Sequence, residues 1–178
     1  MRSALGLGVV LLLGALTMQA CGDDEAAETS PGPPQQTSLG DCADLLPDSV
    51  FAALGWDPAG DATLDGDTCT RAATQGDAEV QRRAVAAVGG DDLPAAAAST
   101  FEEHCADLYG ESGTAVDWLG ADTSACALLA PDRGMSVLVV VTDDDAVVEV
   151  RVDADESTPE AQVQAGLVEL AQAATATF

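Results

Sequence analysis

The chain of 178 residues has no lysine, one histidine and six aromatic side chains. Its six basic residues, all Arg, stand against 31 Asp and Glu, for a formal net charge of −25. So little positive charge cannot neutralise a row of phosphates, which excludes nucleic acid as a partner. It also excludes docking on anionic lipid headgroups through a polybasic patch. One His leaves little for histidine metal sites or His-based acid–base chemistry. No G-x-S-x-G, H-E-x-x-H or S-x-x-K motif occurs. No apolar run reaches the roughly 20 residues a membrane-spanning helix needs.

What is present suffices for a packed core. Hydrophobic residues make up 47% of the chain and the mean hydropathy is +0.14. The length fits one domain.

The chain opens with Arg2, then the apolar run Leu5 to Leu16, small residues and Ala20-Cys21. That run fits the apolar region of a secretory signal. The segment resembles a bacterial lipoprotein signal, with Ala20-Cys21 ending the lipobox and Gly22-Asp23-Asp24 opening the mature chain. Met18 and Gln19 depart from the usual Leu and small residue. The resemblance implies cleavage before Cys21 and a diacylglycerol on its sulfur. Two acyl chains (the palmitate class) anchor stably where one does not. The other reading is an ordinary signal peptide beside a free Cys. Loss of residues 1–20 removes Arg2 and leaves five Arg against 31 acids, a formal −26.

Gly22 to Gly40 is acidic, then rich in Pro, Gly, Ser, Thr and Gln, with no apolar periodicity. It reads as a disordered tether reaching about 25 Å on average. Residues 41–178 then read as a single globular domain.

The spacing predicts a helix over 41–54, with Pro47 in its first turn and Gly55 as its stop. A loop follows over 57–67, then strands over 68–73 and 79–88 around a Thr-Gln-Gly-Asp turn. Gly89-Gly90-Asp91-Asp92 breaks that pattern before a helix over 93–109, with an apolar stripe of Ala97, Phe101, His104/Cys105 and Leu108. Short strands are expected over 115–119 and 125–129. Residues 135–142 and 146–152 form a hairpin across Asp143-Asp144-Asp145. In it Val148, Val150 and Val152 face one side, and Glu149 and Arg151 the other. Ser157-Thr158-Pro159-Glu160 supplies a cap, an early Pro and a capping-box Glu for a last helix. Val163, Leu167, Leu170 and Ala174 mark its buried stripe. The order predicts an α+β fold, helices packed on an antiparallel sheet. Cys42-Ala-Asp-Leu45 recurs as Cys105-Ala-Asp-Leu108, by duplication or by chance.

Four cysteines remain after Cys21: Cys42, Cys69, Cys105 and Cys126. An even count in an exported chain reads as disulfides, with three possible pairings. Cys42–Cys69 and Cys105–Cys126 are favoured, each tying a helix to a following strand. No C-x-x-C spacing suggests zinc.

Asp41-Cys42-Ala-Asp-Leu-Leu-Pro47, Leu54-Gly55 and Cys69-Thr-Arg71 resemble the start of an actinobacterial lipoprotein family, domain of unknown function 3558. Members carry a Cys-x-Leu-Leu helix, a Leu-Gly ending and a second Cys on the next strand. The resemblance is specific over 41–71. Thr70 departs from it, standing where an aromatic is common. It implies a cell-envelope location and an α+β sandwich, and no catalytic residue. The second cysteine pair resembles that of extracytoplasmic sensor domains of actinobacterial membrane kinases.

Several side chains admit a functional and a structural reading. His104 beside Cys105 suggests a thiol dyad, but adjacent helical positions point about 100° apart. Asp143-Asp144-Asp145 and the Asp61, Asp65, Asp67 loop suggest calcium, yet neither matches an EF-hand loop, and Asp also forms turns. Trp56 and Trp118 are either a ligand-stacking surface or core anchors. Arg71, Arg82 and Arg83 are either a local anion-binding spot or partners for the protein's own carboxylates. The expected function is a lipid-anchored extracytoplasmic binding or interaction module with no cofactor, metal or catalytic residue. It takes either a small apolar ligand between sheet and helices or an envelope protein. The alternatives are a regulatory or sensory accessory domain, and an envelope hydrolase using two carboxylates about 5–9.5 Å apart.

Overall fold

The computed structural model describes residues 41–83, 85 and 92–177. The signal segment, Cys21, the tether, most of the end of the second predicted strand and the Gly89-Gly90-Asp91 break lie outside the described residues. All described residues belong to one compact unit.

Among the described residues seven antiparallel strands form one sheet: β1 (Thr63–Asp65), β2 (Thr68–Ala73), β3 (Gly76–Arg83), β4 (Thr114–Ala115), β5 (Ala125–Ala130), β6 (Met135–Val141) and β7 (Val147–Ala154). Their order across the sheet is β1-β2-β3-β7-β6-β5-β4. Two hairpin systems therefore meet in the middle, where β3 pairs with β7. Among the described residues four α-helices accompany them: α1 (Cys42–Leu45), α2 (Asp48–Leu54), α3 (Leu93–Ala106) and α4 (Glu160–Thr177). The fold is α+β, as the element order predicts.

Strand alternation sorts the helices onto two faces. Leu138 and Val140 of β6 and Val148, Val150 and Val152 of β7 pack with α1, α2 and α4 in the main core. Their neighbours Val137, Val139 and Val147 point the other way, into a smaller cluster with Ala97 of α3. Burial on both faces explains why β6 reads as a near-continuous apolar run. Within the main layer α2 lies directly on α4. A Cβ at Gly166 would strike the Leu54 side chain, so this helical glycine sets how closely the two approach.

Both disulfides have the favoured pairing. Cys42–Cys69 ties α1 to β2 and Cys105–Cys126 ties α3 to β5, with Cα separations of 5.5 and 6.1 Å.

The local reading fails where tertiary or backbone constraints take over. The first predicted helix is two helices. Pro47 disfavours a helical Leu46, which sits at φ −124°, ψ 57°, and Pro47 itself becomes the extended N-cap residue of α2. Gly55 does end α2 in the left-handed conformation, at φ 74°. The predicted 57–67 loop contains β1, whose three residues are all exposed and so carry no burial period. The second predicted strand starts three residues earlier, because Gly76 already pairs with Ala73. The helix over 93–109 ends at Ala106. Asp107 leaves helical geometry and its carboxylate accepts the Gly110 N–H at 3.0 Å, closing a turn. The strand expected over 115–119 shrinks to Thr114–Ala115, and a turn over Asp117 to Gly120 takes Trp118 off it. Ser157 does not act as the expected cap. Its N–H and hydroxyl go back to Asp155, and α4 begins at Glu160. The Cys-Ala-Asp-Leu repeat is not structural: the first copy is all of α1, while the second leaves the end of α3.

Candidate functional site

β7 alternates apolar residues with Glu149, Arg151 and Asp153, the first two flanked by valines. Alternation turns Glu149 and Arg151 away from the main core, as expected. For Glu149 that direction is not solvent. It lies under α3 and the turn after it, and its side chain is only 3% exposed. A buried carboxylate is costly unless it is paired and hydrogen-bonded.

Three elements supply its partners. Arg83, near the end of the neighbouring β3, forms an ion pair with Oε2. His104, in the last turn of α3, meets the same oxygen through Nε2. Tyr109, just past that helix, donates its hydroxyl to Oε1 at 2.8 Å. Burial pushes the Glu149 carboxyl up. The His104, Arg83 and Tyr109 hydrogen bonds, with the Arg83 charge, outweigh it and hold the group at about 2. Glu149 is thus an ionised anchor with its oxygens taken, unsuited to donate or accept a proton near neutrality.

The cluster continues along the same face. The Arg151 guanidinium lies 5.5 Å from the centre of the Tyr109 ring, within cation–π range. Arg151 also pairs with Asp153 through two nitrogens, Nε to Oδ1 at 2.7 Å, and approaches Glu79 at 3.8 Å. Asp77 sits opposite Asp153 in the ladder. Burial and the Asp153 charge raise its pKa, and burial raises that of Glu79. Two facing carboxylates, one with a raised pKa, are what glycoside chemistry requires. Here Asp153 is occupied by Arg151. Neither of two open hollows in the described surface touches this pair.

Of these hollows, one of about 500 Å³ lies among Asp41, Pro47, Asp48, Asp61 and Arg71. The other, about 300 Å³, lies among Leu119, Thr123, Thr142, Asp143, Gln172 and Thr175. Both are lined by polar and apolar groups in comparable measure, Val141 and Ala176 in the smaller and Ala43 and Ala62 in the larger.

The five expected binding residues do not come together. Arg71 is committed to structure: Nε donates to the Gly60 carbonyl at 2.9 Å and one terminal nitrogen to the Leu46 carbonyl at 2.8 Å. The other pairs with Asp48 at 2.8 Å, and the guanidinium covers the Phe51 ring. Arg82 and Arg83, adjacent on β3, point to opposite faces of the sheet. Arg82 pairs in the ladder with Val148, whose side chain enters the main core; Arg83 meets Glu149 on the other face. Trp56 is a core anchor, 5% exposed, with its indole N–H donated to Thr158 Oγ1 at 3.2 Å. Trp118 packs half-buried against the same core. Its neighbour Leu119 shares a hollow with Gln172 and Thr175, near the far end of α4 from Thr158. The two Trp residues form no common surface.

His104 and Cys105 are not a dyad, since one binds Glu149 and the other is in a disulfide. Asp143 to Asp145 make the hairpin turn, with Asp145 left-handed at φ 56°. Among the described residues no group of three His, Cys, Asp or Glu side chains is placed to hold a metal ion. Also among them, no helix is long and apolar enough to cross a membrane.

Sequence reasoning missed the Glu149 cluster. One signal was available: an acid flanked on both sides by valine in a strand central enough to be covered twice.

No protein-family model, curated protein or solved structure matches this chain.

Proposed function

We propose that the chain is a lipid-anchored extracytoplasmic module that acts by binding an envelope protein. The observation that carries this reading is the pair of disulfides downstream of an apolar segment ending at Ala20-Cys21. Paired structural cysteines belong to oxidising compartments, and an acylated Cys21 would hold the domain at the membrane. A protein partner is favoured over a small apolar ligand because the layer between sheet and helices is filled. Phe51, Leu54, Leu167 and Leu170 are fully buried there, and a Cβ at Gly166 would strike Leu54. Carboxylate hydrolysis is disfavoured by the commitment of Asp153 to Arg151.

The test is expression of the full chain and of Cys21→Ser in a bacterial host, with detergent partitioning and intact mass. The wild type should enter the detergent phase with the mass of an acylated Cys21, and the variant should not. Equal partitioning of the two overturns the anchor. Native mass spectrometry should give a bare domain; a stoichiometric small molecule would replace the protein partner with a ligand.

A further inference from the structure

α3 covers the back of β6 and β7 with a thin apolar stripe, Ala97 and the half-buried Phe101 and Cys105, with Leu108 buried just past its end. Of its fourteen residues only Ala96 and Ala97 are buried, whereas α4 buries six. Beneath α3 lie Val137, Val139 and Val147, all with no exposure. A helix with few fully buried residues therefore keeps a strip of valine dry. Its fastenings are concentrated at its C-terminal end: the Cys105–Cys126 bond to β5, and the His104 and Tyr109 contacts to Glu149.

The two disulfides differ in access. Cys42 and Cys69 are 7% and 0% exposed. Cys126 is buried at 3%, but its partner Cys105 is only half-buried. Thiol–disulfide exchange requires a thiolate to reach a sulfur, so access ranks the two bonds.

We propose that Cys105–Cys126 is a redox-controlled fastener and that α3 is a lid, whose release bares the valine strip of β6 and β7. The reductant is a dithiol. One of its thiolates attacks Cys105 Sγ, and Cys126 leaves as a thiolate that takes up a proton. The second thiol of the reductant, deprotonated, then attacks the mixed disulfide and frees Cys105, which is protonated in turn. The reductant ends as a disulfide, two electrons having passed to the protein. The sheet tolerates this release. Arg83 reaches Glu149 from the neighbouring strand, so the carboxylate keeps a cation when His104 and Tyr109 withdraw. The main core and Cys42–Cys69 lie on the opposite face.

The experiment is graded dithiothreitol treatment of the purified full chain under native conditions, with alkylation mapping and hydrogen exchange. Cys105 and Cys126 should be alkylated at least tenfold faster than Cys42 and Cys69. At that stage amides of 93–106 should lose protection and a dye for exposed apolar surface should brighten, while α4 stays protected. Equal reduction rates overturn the proposal. So does selective reduction that leaves α3 protected, or that unfolds α4 along with it. Cys105→Ser with Cys126→Ser should reproduce the released state, and the wild-type reduction series reads the lid even if that variant fails to fold.

Discussion

Tyr109 donates its hydroxyl to Glu149 at 2.8 Å from a left-handed backbone, φ 52°, that bulky residues seldom adopt. The strain persists because the surroundings hold both ends of the side chain: the buried carboxylate takes the hydroxyl and Arg151 lies over the ring. The contact closes the turn after α3 onto β7.

Tyr109→Phe keeps the ring and removes that donor. Hydrogen bonds to charged groups contribute about 1.5–3 kcal/mol, so the variant should lose about 2 kcal/mol at pH 7. Denaturant unfolding measures it. A loss below about 0.5 kcal/mol would mean that water or Arg83 replaces the hydroxyl at no cost.

Acid should act in two stages of opposite sign. Glu149 titrates at about 2 when folded, against an ordinary value of 4.5. Its contribution is complete above 4.5 and is lost as pH falls from there through 2. It amounts to about 3 kcal/mol if that whole shift is expressed in folding. Asp77 and Glu79 have raised folded values, chiefly from burial, so they behave oppositely: their penalty near neutrality is relieved on mild acidification. The melting temperature should rise from pH 7 into mild acid, then fall steeply towards pH 2. Glu149→Gln should flatten the steep limb. A monotonic decline from pH 7 would contradict this assignment.

The chain's formal net charge of −25 makes it repel itself. Salt screens charges beyond about 10 Å at 0.1 M, so melting temperature should climb from low to moderate NaCl. KCl should match NaCl. A far larger gain with CaCl₂ at equal ionic strength would reveal a specific cation site, and a flat series would mean that the acids are dispersed or paired internally.

Arg71 joins the Gly60 and Leu46 carbonyls, Asp48 and the Phe51 ring through one planar group. Lysine keeps the charge but not the fork. Arg71→Lys should therefore destabilise by about 1–2 kcal/mol, nearly as much as Arg71→Ala, given that a net hydrogen bond contributes about 1 kcal/mol. Thermal unfolding of both variants checks it, and full rescue by lysine would reduce the role of Arg71 to its charge.

The sequence by itself determined the strands and helices whose signal is local and repeated. The valine runs on either side of Asp143 to Asp145, the spacing of Val163, Leu167 and Leu170, and the left-handed stop at Gly55 each follow from period or backbone chemistry. The four domain cysteines likewise pointed to two bridges, each between a helix and a following strand. Only the tertiary structure decided what covers the second face of the sheet. Strand alternation sends Glu149 outward, but whether outward means water depends on α3, about 45 residues earlier in the chain. Once α3 and its turn close over that face, desolvation makes the carboxylate recruit Arg83, His104 and Tyr109, a grouping with no sequence spacing of its own. The same dependence on distant surroundings turned Trp56 and Arg71 from candidate ligand contacts into core and loop anchors, because burial and partner distance are properties of the assembled layers, not of any window of residues.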